Sequence, residues 1–403
     1  MSEWQKVNLG DCCEITSSKR IFFSEYVESG IPFYRSKEII EKGKGEEISH
    51  PLYISKEKYD EIKGKYGVPQ KGDLLLTAVG SLGIPFVVKD DSPFYFKDGN
   101  LVWLKHFQDI DPIFLYYWIK SENGYNALYN IAIGSAQKAL TIAAIKGYEI
   151  PLPPLQTQHR IANILSRYDS LIENYQKQIK LLEEAAQRLY KEWFVDLRFP
   201  GHENTKIVDG VPEGWEKKPV KTIIELQSGY AFKSSAFMDD GIYKIVTIKN
   251  VKDGAFDGEN VSKIASIPEK MPKHCILENG DILLSLTGNV GRVCIVNGKN
   301  YLLNQRVAKL KSAYKAYTYC LFRSRDMFIE VNNLANGAAQ QNVSPIRIGE
   351  MKILIPEKKW LDDFERTVSN YILGIITLQS QIRFLTEVRD RLLPKLMSGE
   401  IAV

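Results

Sequence analysis

The sequence has little cysteine and no long apolar run. Its five cysteines are Cys12, Cys13, Cys275, Cys294 and Cys320, and none forms a zinc-type pair spacing. An odd, scattered set argues against a disulfide framework and for free thiols in a reducing cytoplasm. Cys12-Cys13 reads as strand or packing chemistry rather than a redox pair. No apolar stretch is long enough to span a bilayer and no signal peptide is visible, so a membrane role is not expected. The five histidines (His50, His106, His159, His202, His274) are scattered without metal-ligand spacing. There is no Gly-x-Lys-Ser/Thr phosphate loop, no Gly-x-Gly cofactor loop after a first strand, and no paired acid cluster of nuclease type. An Asn-Pro-Pro-aromatic or Asp-Pro-Pro-aromatic motif of the amino-methyltransferase kind is also missing. The nearest stretch, Asp111-Pro-Ile-Phe114, lacks the second proline and reads as a helix cap. The chain is therefore expected to bind and position something, with no catalysis, metal or cofactor of its own.

What is present is order at long range. The 403 residues suffice for two or three domains with real cores, and a net charge of +4 permits an anionic partner without demanding one. The stretch 155–197 reads as one helix. Its apolar positions are Ile161, Leu165, Tyr168, Ile172, Tyr175, Ile179, Leu182, Ala186, Leu189 and Trp193, in alternating steps of four and three. That is the 3.5-residue seam of a coiled coil. About forty residues of helix span roughly 60 Å, and so long and narrow a seam wants a second helix. The same positions displaced by 203 give Phe364, Val368, Tyr371, Ile375, Leu378, Ile382, Leu385, Arg389, Leu392 and Leu396, where only Arg389 breaks the apolar run. Two unrelated helices sharing a period by chance is the bland alternative. The unbroken offset favours an internal duplication, with the two helices packed together.

The regions before each helix repeat as well. Gly72-Asp-Leu-Leu-Leu-Thr-Ala-Val-Gly-Ser-Leu-Gly83 is a buried strand and a glycine turn, echoed by Gly280-Asp-Ile-Leu-Leu-Ser-Leu-Thr-Gly-Asn-Val-Gly291. Asp98-Gly-Asn-Leu-Val-Trp-Leu104, a turn entering a strand, is answered by Asn304-Gln-Arg-Val-Ala-Lys-Leu310. Asn130-Ile-Ala-Ile-Gly-Ser-Ala-Gln137 is answered by Asn333-Leu-Ala-Asn-Gly-Ala-Ala-Gln340. Ile31-Pro-Phe-Tyr-Arg-Ser-Lys-Glu-Ile39 is expected to be a strand running into a polar turn, and 112–121 a helix. The order is domain, helix, domain, helix: a two-fold pseudo-repeat rather than a solenoid.

The glycine turns have two readings. They permit a tight turn after a strand, or they expose backbone N–H groups to a phosphate oxygen, which Arg292 favours in the second copy. Polar clusters beside them carry donors and acceptors suited to base edges. Each alone is a solvated loop as readily as a site, but they recur at matching places. The candidate nucleic-acid contacts in the first copy are Arg35, Lys37, Ser81 and Lys138. Those in the second are Lys233, Lys249 and Asn250, then Asn289, Arg292, Gln305 and Arg306, and finally Gln340 and Gln341.

The pattern resembles the specificity (S) subunit of a type I restriction-modification system. The carrying residues include Gly72-Asp-Leu-Leu-Leu-Thr, Asn304-Gln-Arg-Val-Ala and Ile150-Pro-Leu-Pro-Pro-Leu-Gln-Thr-Gln-His-Arg-Ile-Ala. To these are added Lys191-Glu-Trp-Phe-Val-Asp-Leu-Arg-Phe-Pro-Gly201 and Arg391-Leu-Leu-Pro-Lys-Leu-Met-Ser-Gly-Glu-Ile401, and the match runs along essentially the whole chain. The second copy departs from the Pro-Leu-Gln-Thr-Gln stretch, carrying Glu357-Lys-Lys-Trp-Leu361, so the start of its helix is expected to dock differently. The resemblance implies an α+β fold: two pseudo-repeated target-recognition domains separated by two long antiparallel coiled-coil helices. It implies domains at 1–153 and 199–356 (the latter with its linker), a central helix at 154–198, and a C-terminal helix and tail at 357–403. It implies a split double-stranded DNA target, two methyltransferase (M) subunits docked on the helices, and motor-nuclease (R) subunits completing a cytoplasmic complex. S-adenosylmethionine, ATP and Mg would sit on those partners. Helix packing and docking would fall to Ile161, Leu165, Ile172, Ile179, Leu182, Leu189 and Trp193, and to Phe364, Val368, Ile375, Ile382, Leu385 and Leu392. A coiled-coil scaffold whose globular ends bind proteins is the rival reading.

Overall fold

The computed structural model describes residues 4–45, 48–134, 138–335 and 341–403. The chain divides into two compact units. Unit 1 is Met1–Glu173 with Phe384–Val403, and unit 2 is Asn174–Arg383.

Unit 1 is organised by the strand Leu74–Thr77. It is the third strand of an antiparallel sheet in the order Glu14–Thr16, Leu101–Lys105, Leu74–Thr77, Pro85–Val87. Side chains of a strand alternate between faces. Leu74 and Leu76 therefore enter one core, with Val102, Leu104 and Phe114, while Leu75 enters another with Phe86 and Trp103. That burial on both faces explains the uninterrupted Leu-Leu-Leu run. A second sheet holds Tyr26–Val27, Leu52–Ile54, Ile31–Tyr34 and Tyr95–Phe96, the last two in parallel.

Unit 2 repeats this plan. Its antiparallel sheet runs Glu225–Ser228, Val307–Lys311, Ile282–Ser285, Val293–Ile295. Its other sheet again carries a parallel pair, Tyr243–Val246 with Tyr301–Leu303. Even the register matches: Leu75 faces Trp103 in one unit, and Leu283 faces Lys309 in the other. The Gly-Asp that opens each central strand has a physical reason. Gly72 and Gly280 turn with φ of 92° and 89°. The aspartate then closes the turn by accepting the N–H of Gln70 in one copy (2.9 Å) and of Glu278 in the other (2.8 Å). Its other partner differs: Trp103 Nε1–H donates to Asp73 and Lys309 Nζ pairs with Asp281, both at 2.8 Å.

The helix expected at 112–121 is Pro112–Lys120. Asp111 caps it, accepting the N–H groups of Ile113 and Phe114 at 2.8 Å. The polar turn expected after Tyr34 is instead a helix, Ser36–Gly43. Glu38 reaches back to the Arg35 N–H (2.8 Å) while Ile39 is fully buried, so capping and one apolar anchor outweigh the polar composition.

The first long helix spans Leu155–Tyr190 and continues through a wider turn, Lys191–Val195. The second spans Lys358–Met397. In unit 1 Ile161 and Leu165 share a core with Leu396, against which Leu392 packs, and Ile172 is buried. In unit 2 Phe364, Val368 and Ile375 share a core with Ala186, against which Ile179, Leu182, Leu189 and Trp193 pack. Ile382 and Leu385 are half-buried. Tyr190 and Phe194, outside the expected seam, are the most enclosed aromatics of the first long helix: Phe194 meets Tyr317 and Phe364 edge-on, with ring centroids 5.0 Å apart in each case. Arg389, the break in the apolar run, reaches Asp169 Oδ1 at 2.5 Å in unit 1.

Among the described residues no helix is long and apolar enough to cross a membrane, and no three His, Cys, Asp or Glu side chains gather as a metal site. All five cysteines are free and buried. Burial pushes the thiols of Cys12, Cys13 and Cys275 above their ordinary pKa, Cys13 to about 12.

Candidate nucleic-acid interface

Each central strand ends in a hydroxyl that closes the glycine turn behind it. In unit 2 Ser285 Oγ donates to the Asn289 carbonyl (2.5 Å) and accepts the Arg292 N–H (3.0 Å). In unit 1 Thr77 Oγ1 donates to the Ser81 carbonyl and accepts the Ile84 N–H (2.8 Å). Glycine is needed because φ is +79° and +73° at Gly80 and Gly83, and +72° and +86° at Gly288 and Gly291. These bonds overturn the phosphate-cradle reading for the amides they use. The N–H of Gly83 goes to Thr77 O, that of Gly291 to Ser285 O and that of Gly288 to Gln341 O. The Ile84 and Arg292 N–H groups are held by the hydroxyls. The turns instead present side chains, Ser81 and Asn289, to solvent.

Main-chain bonds tie further loops to each turn. In unit 2 Leu286 N–H donates to Arg306 O and Val343 N–H to Leu286 O, both at 3.0 Å, and Thr287 Oγ1 donates to Asn342 Oδ1. Gln305 N–H donates to Tyr230 O, and Asn304 N–H to Val246 O. The exposed side chains of Asn289, Gln305, Arg306 and Gln341 thus stand on one connected set of loops. Exposed Lys249 follows Ile248, which lies against Gly288. Arg292 is half-buried, and Lys233 is exposed three residues past Tyr230. Gln340 lies outside the described residues.

Unit 1 builds the same frame, with Ala78 N–H donating to Asn100 O (2.8 Å) and Leu140 N–H to Ala78 O (2.9 Å). Its basic residues are more committed. Lys37 pairs with Glu41 at 3.5 Å and donates to Ser49. Lys138 Nζ sits 3.6 Å above the Tyr129 ring.

Two candidates are corrected. Asn250 is 1% exposed and cannot read a base. Its Oδ1 accepts the Thr247 N–H (2.8 Å) and hydroxyl (2.9 Å), while its Nδ2 donates to Asp257 O and Asn260 O. The amide fastens a loop from inside. Arg35 lays Nε and Nη2 on the buried Glu38 carboxylate. Burial alone would raise the Glu38 pKa, but the Arg35 guanidinium and the backbone N–H groups hold it below the ordinary value. The Arg35 side chain serves the helix start rather than a ligand.

Sequence reasoning missed an aromatic edge. Tyr125 and Tyr129 are 43% and 42% exposed, with ring centroids 6.2 Å apart, and Tyr125 lies against Gly83. Their counterparts 203 residues on are Phe328 and Asn332, which lie against Gly291. Exposed ring faces beside a lysine suit stacking and cation contacts with nucleic acid. The repeat offset was the signal that could have found them.

Fold and loops together define a duplicated α+β binding protein, one module made twice and each copy joined to a long helix. The chain belongs to the family of type I restriction-modification DNA specificity domains, which matches residues 1–184 and 212–368. This family serves DNA target recognition and complex assembly in type I restriction-modification systems. The chain is similar to the MjaIX specificity subunit of a type I restriction enzyme from Methanocaldococcus jannaschii, with 29% identity over 350 residues, 83% of this chain and 78% of that one. It is also similar to the MjaVIII specificity subunit of the same organism, with 27% identity over 419 residues, 100% of this chain and 93% of that one. The crystal structure of the S subunit of a type I restriction-modification system from M. genitalium shares the fold, with a TM-score of 0.61, 17% identity, and 98% and 96% of the two chains covered.

Proposed function

We propose that this chain is the DNA-reading subunit of a type I restriction-modification complex and is not itself an enzyme. The repeats at 1–153 and 199–356 each read one half of a split duplex target. The helices at 154–198 and 357–403 form an antiparallel coiled coil that spaces the readers and docks two methyltransferase subunits. The complex methylates adenine in the cytoplasm, or restricts DNA once motor-nuclease subunits join. S-adenosylmethionine, ATP and Mg belong to those partners.

The observation that carries this reading is the loop frame built twice. Two copies of one backbone frame present different side chains, which suits two half-sites of different sequence. Docking is supported by large apolar side chains left in solvent on the long helices: Leu181 is 65% exposed, and its counterpart one repeat offset away, Phe384, is 63% exposed. The test is to exchange 1–153 for the same segment of a relative, co-express the chain with its partner subunits, and profile methylated sites. One half of the site should change and the other stay. A change in both halves, or in neither, overturns the modular reading.

A further inference from the structure

The two units use equivalent positions where the long helices meet. Ile161, Leu165, Leu392 and Leu396 in unit 1 correspond to Phe364, Val368, Leu189 and Trp193 in unit 2, each by the offset of 203. One level breaks the likeness. In unit 1 Tyr117 Oη donates to Asp169 Oδ2 at 2.6 Å, and Arg389 Nη1 meets Asp169 Oδ1 at 2.5 Å. The same offset leads from Tyr117 to Cys320, from Asp169 to Ile372 and from Arg389 back to Ala186. All three are buried, so the side chains at these positions are apolar in unit 2 and polar in unit 1.

The core positions on either side of this level are apolar on both long helices and carry no charge by which to choose a partner. Antiparallel pairing of two first helices, from two copies of this chain, would again set apolar side chains against apolar ones at those positions. At this level, however, Asp169 would face the Ala186 of the second copy and lose its cation, at two places in the pair. Two second helices would set Arg389 against Ile372, leaving it only its exposed neighbour Asp390. A largely enclosed charge stripped of its partner is penalised far more than a satisfied pair is rewarded, and one polar group in an otherwise apolar seam is a known means of fixing helix partners. We propose that the Tyr117–Asp169–Arg389 level selects helix partners, favouring the first long helix with the second over either helix with its own equivalent in a second copy of this chain. The discrimination is on the order of a hundredfold per level, discounted for the partial exposure of both charges.

The test uses the full-length chain with two mass tags, unfolded together, refolded, and analysed by native mass spectrometry for species holding both tags. A186R/R389A moves the arginine by one repeat offset. Within one chain Asp169 then faces alanine and the new guanidinium faces Ile372, whereas two copies pairing like with like satisfy every level. Y117C/D169I/R389A makes both levels apolar, removing selection while keeping a trio that unit 2 already buries. Cross-copy species should be scarce for the wild type, dominant for the relocated arginine, and raised about tenfold or more for the apolar triple. Equal cross-copy fractions in the wild type and the triple overturn the proposal, whether or not the relocated-arginine chain refolds. A triple variant unable to refold also overturns it, because the level would then be supplying stability and not selection.

Discussion

Replacing Arg306 by alanine separates a surface that reads DNA from a loop that merely folds. Arg306 is exposed, and its guanidinium makes no hydrogen bond or ion pair among the described residues. Its structural bonds use the main chain: the N–H donates to Asn304 Oδ1, and the carbonyl accepts from Leu286 N–H. Alanine keeps both, so folding should change by less than about 0.5 kcal/mol. Binding should change in one of two ways. If Arg306 meets a phosphate, the slope of log affinity against log salt falls by about 0.9, for all duplexes alike, which is roughly threefold between 50 and 200 mM. If it meets a base edge, one position of the site relaxes by about 1–3 kcal/mol and the slope stays. Asn250→Ala supplies the contrast, because it strands the Thr247 donors and the carbonyls of Asp257 and Asn260. That variant should lose about 2–4 kcal/mol of stability through unmet buried groups. Anisotropy titrations of labelled duplex across salt, paired with thermal melts, read both quantities. If R306A and K249A each leave slope and site preference unchanged, the loop set of unit 2 is not the DNA face.

The same geometry sets three further outcomes. Phe364→Ala empties the aromatic contact with Tyr190, Trp193, Phe194 and Tyr317; at about 3–5 kcal/mol it should lower the melting midpoint of unit 2 on the order of 10 °C, and a calorimetric shift under about 3 °C contradicts that assignment. Because Glu38 titrates below its ordinary value when folded, its contribution is present above about pH 4.3 and is lost as pH falls through the folded pKa. Arg35→Ala should move the acid limb of unit 1 melting to higher pH, by no more than about 1 kcal/mol given the half-exposed guanidinium, and an unmoved limb refutes the coupling. Seven residues inserted at one level in both long helices keep the 3.5-residue seam in phase and add roughly 10 Å; methylation profiling should then show the same half-sites with a spacer longer by up to about three base pairs, and an unchanged spacer would show that the helices do not set that distance.

The duplication is legible because its carriers are local and periodic. A Gly-Asp turn, a strand buried on both faces and a 3.5-residue seam leave marks that survive when residues change type. The features that escape depend on partners far away in sequence. The helix Ser36–Gly43 turns on one buried isoleucine beneath a polar string. Asn250 looks like a base reader until the carbonyls of Asp257 and Asn260 close over it. Arg389 looks like a flaw in the seam because Asp169 lies 220 residues earlier. Tyr190 and Phe194 escape because an ideal heptad places Leu189 and Trp193 on the inner face. The helix widens to a π-type turn over Lys191–Val195, just past Tyr190, which shifts the phase of the residues in that turn and beyond it.

The candidate DNA faces divide labour in a way that bears on how such a chain can change its target. In both units the loops are joined by main-chain bonds, Leu286 to Arg306 in one and Ala78 to Asn100 in the other. The covered side chains beneath do the folding: Asp73 with Trp103, Asp281 with Lys309, Asn250 with its four hydrogen bonds to Thr247, Asp257 and Asn260. Residues such as Ser81, Asn289, Gln305 and Arg306 point to solvent with little structural duty. A substitution among them alters what is presented without disturbing the frame, whereas one at Asp281 or Asn250 unmakes the loop and every contact on it. The two copies already illustrate this, since Ser81 stands where Asn289 stands on a turn closed by the same hydroxyl bond. On the proposed reading, sequence preference in one unit is rewritten by surface substitutions whose folding cost is small, while the buried frame stays as it is.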